Sequence, residues 1–267
     1  MTGGHAWYLC EEADGVEGVR KVVRGQIKRK VDCIKIMGVT GGTATPGVDP
    51  GAAQFEYEEV EVAVREAKKA GKTVACHAHG TEGIRNAVLA GVTTLGHGMF
   101  LNDELAELMA ERGVYFVPTL TNTYHRRELE RQGKLPPLWV ARLAELKAMG
   151  FVWPEPGQAF KIAYKHGVKI VLGTDCGGNP LSIHGTNGFE LLMMTEFGMS
   201  PMEAIIAGTS LAAEPLKMAD KIGSIEPGKL ADLLVVDGNP LQDIRILTPL
   251  DNKIVMVMKD GKFVREQ

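Results

Sequence analysis

No apolar run in this chain approaches the ~20 residues that a bilayer-spanning helix requires. The first residues carry neither a basic region nor the apolar stretch of a signal peptide. A membrane protein is therefore not expected, and the chain reads as soluble and cytoplasmic. An excess of charge of one sign is also missing. With 30 basic and 33 acidic side chains the formal net charge is -3, which leaves no electrostatic footprint for nucleic acid or an anionic lipid surface. Cysteine is sparse. Cys10, Cys33, Cys76 and Cys176 are scattered without metal-finger spacing, so buried free thiols are expected rather than disulfides. Finally, no His-x-His pair precedes Lys35, where His5 is the only histidine.

What is present is a repeated juxtaposition. Four apolar, strand-like runs each end at or carry a residue that binds divalent metal: Val31 to Met37 with Lys35, Thr73 to His79 with His77, Val92 to His97 with His97, and Val168 to Asp175 with Asp175. Amphipathic helical stretches separate them, which implies parallel βαβ units. In a closed barrel of such units the strand carboxyl ends converge, so ligands far apart in sequence can meet at one point. A length of 267 residues suits one large α/β domain or a barrel with a small appendage.

Valines at helical intervals predict a helix over residues 15–30, and further helices are expected at 58–70, 81–90, 105–112, 158–166, 189–196 and 201–211. Val114 to Pro118 reads as another strand. The Gly/Thr/Pro-rich loop from Gly38 to Gly51 is long for a βα connection and is expected to form a pocket wall. Residues 119–157 read as a mixed helix and loop flap. After residue 222 the character changes. Gly228 to Asp237 and Lys253 to Met258 are strands without a helix between them, and Asp260-Gly261 marks a hairpin turn.

Four segments taken together resemble the metal-dependent amidohydrolase superfamily, most closely its prolidase-like and imidazolonepropionase-related branch. They are Thr73-Val-Ala-Cys-His-Ala-His-Gly80, Thr94-Leu-Gly-His-Gly98, Gly173-Thr-Asp175, and the tail from Ile222 through Glu226-Pro-Gly-Lys-Leu-Ala-Asp232 to Pro240. The resemblance implies a TIM-type (β/α) barrel. Six candidate strands of the eight in a complete barrel are counted, because His5 matches the end of the family's third strand and the first two strands have no counterpart. Residues 1–222 are then a partial barrel, and residues 223–267 the C-terminal strands of a small β-sandwich domain.

The same resemblance assigns roles. Lys35 is similar to the lysine that carbon dioxide carboxylates and that bridges two metals, His77 and His97 to metal ligands, and Asp175 to the aspartate that binds metal and moves protons. His79 is expected to contact the substrate carbonyl rather than the metal. The residues leave His184 open between lining the pocket and an ordinary surface loop. The implied cofactor is a divalent metal, zinc, as one or two ions, whose bound hydroxide attacks an amide, peptide or cyclic amide carbonyl. The implied partner is a small-molecule or dipeptide substrate, and the sequence leaves monomer and homo-oligomer both open. Burial would keep the Lys35 amine neutral for carboxylation.

Plainer readings stand beside these. Lys35 suits an ordinary ion-paired barrel lysine or a Schiff-base lysine of a lyase. His77 and His79, two apart on one strand face, also suit a satisfied polar pair in a core. Gly96 stands where the branch often has glutamate. His125 with Arg126 and Arg127 fits either a carboxylate grip or a solvated helix face, with the second preferred. His166 fits a helix C-terminus. A catalytically impaired fragment of such a hydrolase is the remaining alternative.

Overall fold

The β-branched runs form parallel strands at the expected places. In the computed structural model, which describes residues 1–177, 183–249 and 253–266, β1 (Cys33–Ile36), β2 (Thr73–Ala78), β3 (Thr94–His97) and β4 (Tyr115–Val117) make one parallel sheet in the order β1-β2-β3-β4. A helix lies on each connection: α2 (Tyr57–Lys69), α3 (Thr81–Ala90) and α4 (Asp103–Arg112). Strictly sequential order is that of a (β/α) barrel, whereas a doubly wound sheet reverses direction at its first strand. The arrangement is thus an incomplete TIM-type barrel with β1 and β4 as its outer strands. With α1 (Gly15–Lys28), α6 (Pro137–Ala148) and α7 (Gln158–Lys165), these elements belong to a first unit of Met1–Val117 and Gly133–Lys169.

Local signals explain the helix ends. Glu56 and Glu59 close α2 with a reciprocal capping box, and the Asn102 side chain accepts from Leu105 N–H at 2.9 Å to start α4. Gly91 and Gly113, with φ of 82° and 66°, end α3 and α4 in the left-handed conformation that suits a residue without Cβ. Between α1 and α2, Glu66 takes Arg24 at 2.9 Å and Lys69 at 2.9 Å, and these hydrogen bonds hold its carboxyl down at about 2.

One sheet face is core. Ile34, Val74, Cys76, Leu95 and Phe116 stand in cross-strand register on it and are buried, with Ile84, Leu105 and Met109 equally withdrawn from solvent. Burial drives Cys76 up to about 12, so that thiol is inert. All four cysteines are free, but the expectation of buried thiols holds for Cys76 alone: Cys33 is exposed, and Cys10 and Cys176 are partly so. Cys33 stands on the other sheet face of the outer strand β1. A groove of about 370 Å³ is lined by Cys33, Ile34, Lys35 and Ile36 in succession. Neighbouring residues alternate faces, so the groove runs along the open edge of β1.

Two expected strands do not form. Residues 1–5 make turns leading into a short 3-10 helix, Trp7–Leu9, and of 168–175 only Ile170 makes a bridge. Strand geometry persists only where a neighbour supplies a continuous ladder. Here the Lys169 carbonyl accepts one bond from Phe116 N–H at 2.9 Å, and the Leu172 N–H turns instead to the carbonyl of Ala207 at 2.9 Å. The expected flap is mostly helical, comprising α5 (Leu120–Arg131) and α6.

The second unit holds Pro118–Gln132 and the chain from Ile170 onward. It contains α5, α8 (Gly188–Glu196), α9 (Pro201–Ala207), α10 (Ser210–Ala213) and an antiparallel sheet of β5 (Leu233–Val236), β6 (Ile254–Lys259) and β7 (Lys262–Glu266) in that order. The β6-β7 turn has φ of 49° at Asp260 and 73° at Gly261, the two positive values that a two-residue type I′ hairpin needs. Glu190 of α8 is fully buried and anchors the start of α5: it accepts from Leu120 N–H and Thr121 N–H, each at 2.8 Å, and from the Thr121 hydroxyl at 2.7 Å. Burial outweighs these bonds and raises its carboxyl to about 7. No helix among the described residues is long and apolar enough to cross a membrane.

Two predictions follow from this packing. Phe116→Ala should cost about 3–5 kcal/mol in denaturant unfolding, and an unchanged midpoint would show that the sheet core is not as described. For Glu190 the folded carboxyl lies above the ordinary 4.5, so its contribution is full below about 4.5 and is lost as pH rises through about 7. Glu190→Gln should therefore flatten the fall of stability across that window, and an identical pH slope in both proteins would refute the assignment.

Candidate active site

Parallel register sets the site. Lys35 pairs with Ala75, and His77 two residues on pairs with Gly96, so Lys35, His77 and Gly96 share the sheet face opposite the core. A Cβ on Gly96 would sit 3.8 Å from Lys35 Nζ, an ordinary contact that places the amine beside Gly96. His79 follows His77 on the same face, one step past the end of β2.

His97 arrives differently. It pairs with Ala78 and lies two residues after Leu95, so strict alternation would turn it toward the core face. Its φ is instead 71°, a left-handed conformation that costs a non-glycine residue about 1–2 kcal/mol. The turn swings the ring back over the strand ends. Its centroid lies 4.6 Å from that of His77 and 5.0 Å from that of His79, while His77 and His79 are 4.6 Å apart.

A fourth ring completes the cluster. His5 lies 4.2 Å from His77, with Nδ1 2.7 Å from the Thr45 hydroxyl and its backbone N–H donating to Gln54 Oε1 at 2.8 Å. Sequence reasoning treated His5 only as a marker of a strand position. Its one legible signal is the Gly41-Gly42 pair, because a Cβ on Gly42 would stand 2.1 Å from the His5 ring. The loop at residues 38–55 also supports the other rings. Thr40 Oγ1 accepts the His79 backbone N–H at 2.7 Å, and the Gly41 carbonyl lies 3.2 Å from His77 Nε2. A carbonyl only accepts, so His77 carries its proton on Nε2 and presents a bare Nδ1.

Burial strips charge from the whole cluster. Desolvation, then the neighbouring histidines and Lys35, holds His77 and His97 well below the ordinary imidazole value. Desolvation, with a contribution from His5, takes His79 down to about 3. Desolvation, then Lys35 and Arg142, takes His5 to about 4. All four imidazoles are neutral at pH 7, the form that offers lone pairs to a metal. His79 Nδ1 is buried without a hydrogen-bond partner, a cost that is relieved when a ligand arrives. In donor chemistry the cluster fits a divalent ion. As they stand, no three His, Cys, Asp or Glu side chains among the described residues are arranged as a finished metal cage.

The remaining expected residues stand elsewhere. Lys35 is exposed rather than buried, on the outer strand β1; the expectation of a buried amine is corrected. Asp175 lies in the second unit, exposed, with φ of 55°. His184, also in the second unit and exposed, rests against Gly177, where a Cβ would approach its Nε2 to 2.3 Å. Arg126 departs from the solvated face expected for it: it is buried, 3.0 Å from Glu130. His166 does more than complement a helix end, since its Nε2 meets Asp103 at 2.7 Å and ties α7 to the first turn of α4.

Comparison with known proteins bears on this arrangement. Ochratoxinase of Aspergillus niger is 35% identical over 257 residues, which cover 95% of this chain and 50% of that protein. A probable imidazolonepropionase of Nematostella vectensis is 29% identical over 220 residues, 79% of this chain and 43% of its own length. The chain thus spans about half the length of these curated relatives. The crystal structure of a Xaa-Pro dipeptidase with methionine bound in its active site superposes with a TM-score of 0.85 at 37% identity, covering 100% of this chain and 66% of the dipeptidase. A family model described as the amidohydrolase family matches residues 3–264, and with that extent of agreement in sequence and fold the chain belongs to the amidohydrolase family.

Proposed function

We propose that this chain carries the metal-binding strands of a hydrolase that cleaves a carbon–nitrogen bond in an amide, peptide or cyclic amide. The observation that carries the reading is the cluster of four neutral imidazoles at the strand ends, one of which keeps a buried, unpartnered Nδ1. Ochratoxinase, an imidazolonepropionase and a Xaa-Pro dipeptidase among the relatives support the substrate class.

His77, through the Nδ1 left bare by its bond to Gly41, and His97 are the first ligands for a divalent ion, and zinc suits imidazole donors. A bound divalent ion supplies Lewis acidity and lowers the pKa of its water to about 7. Lys35 stands on the same face as His77 and would join as a carbamate: its neutral amine adds to the carbon of carbon dioxide and releases one proton, leaving a carboxylate. His79 turns its unpartnered Nδ1 toward the substrate carbonyl and orients it. Asp175 has the chemistry to take a proton from water and deliver it to the leaving amine.

The test is metal content by elemental analysis after loading with zinc and removing excess. Wild-type protein should retain zinc, while His77→Ala and His97→Ala should lose most of it; equal occupancy in all three would refute the site. In the same series His79→Gln should keep its zinc and lower kcat/KM on Xaa-Pro or N-acyl amino acid substrates by roughly 10²-fold. Full activity in that variant would remove His79 from the reaction.

A further inference from the structure

The loop at residues 38–55 sets three of the four histidines, and α6 holds that loop. Arg142 is buried. It spends its donors on loop carbonyls: Nε donates to Thr43 O at 2.9 Å, and Nη2 to Val48 O at 2.5 Å and to Gly42 O at 3.4 Å. Glu145, one turn further along α6, lies 2.8 Å from Arg142 Nη1 and accepts the Gly47 N–H at 2.5 Å. One ion pair therefore grips the loop at both polarities, carbonyls by the arginine and an amide by the glutamate. A guanidinium presents its donors in a rigid planar fork, so it fixes several carbonyls in one arrangement, whereas a lysine carries three donors on a flexible stem.

The gripped residues adjoin the histidines directly. Gly42 lies against the His5 ring, Thr45 bonds His5 Nδ1, and Gly41, next to the Arg142-bound Gly42, holds His77 Nε2. There is little slack between them, because a Cβ on Gly41 would meet the Asp49 carbonyl at 1.9 Å. A shift of the Gly42 or Thr43 carbonyl is passed to the Gly41 carbonyl, the acceptor that decides which nitrogen of His77 carries the proton.

We propose that Arg142, braced by Glu145, is a positioning residue that locks the glycine loop so that His77 is held as its Nε2–H tautomer with Nδ1 open to a ligand. The idea rests on the reading of His77 as a ligand only for its functional meaning; the tautomer can be observed without metal. The experiment is long-range proton–nitrogen NMR of the histidine side chains in metal-free protein, comparing wild type with Arg142→Gln, Arg142→Lys and Glu145→Gln, each checked for folding by circular dichroism. Wild type should show His77 as Nε2–H alone. Arg142→Gln should show a mixture of the two tautomers, and Arg142→Lys and Glu145→Gln a smaller loss; if the glutamine variant does not fold, the other two carry the test. His77 remaining entirely Nε2–H in every folded variant would overturn the proposal. Zinc titration of the same samples separates the two claims. Affinity should fall about 10–100-fold in Arg142→Gln, whereas a wild type that binds no zinc but shows the tautomer effect would sink the metal reading and leave the positioning role intact.

Discussion

Parallel pairing of β2 with both of its neighbours decides where each site residue stands. Because β1 lies in register with β2 and β2 with β3, Lys35, His77 and Gly96 fall on one face, and a slip of one residue in either pairing would move His77 into the core beside Leu95. The pairing is held from the opposite face, where Val74, Cys76, Leu95 and Phe116 are withdrawn from water. Burial of each large side chain there is worth about 1.5–3 kcal/mol, enough to absorb the left-handed turn at His97. The site's geometry is thus a by-product of core packing on the far side of the same sheet.

That dependence explains the electrostatics. Stacking His5 on His77 at 4.2 Å, and bringing His77, His79 and His97 within 5.0 Å of one another, would be unfavourable if neighbouring rings were charged, and desolvation keeps all of them neutral. A neutral, crowded and partly unsatisfied cluster is poor at packing and good at binding. The buried Nδ1 of His79 has no hydrogen-bond partner, a cost that a bound ligand would relieve. Lys35 contributes a positive charge at the margin of the cluster, which also disfavours protonation of His77, His97 and His5.

Much of this was legible in the amino-acid sequence, and the limits have physical causes. Strands carrying Lys35, His77 and His97 follow from short apolar runs, and α3 is read to the residue because Gly91 punctuates it. Two of the four segments that carry the resemblance to amidohydrolases lie at the ends of β2 and β3. The segment before Asp175 was read as a strand from its composition alone, but a strand also needs a partner, which no composition can report. The exposure of Lys35 follows from its place on an outer strand, a property of the sheet and not of its neighbours in sequence. The part played by His5 and Arg142 was hidden for a related reason. Their roles depend on contacts across 40 and 100 residues, with Thr45 and Gly42 respectively, and no local periodicity marks such contacts.

The account stands on the claim that histidine side chains from separate strands converge on one ion. X-ray absorption of the zinc-loaded chain reads that most directly, because imidazole rings leave a distinctive outer-shell scattering pattern around a first shell at about 2.0–2.1 Å. Two or more imidazoles around the zinc are expected. A first shell made of oxygen alone, with no imidazole scattering, would contradict it.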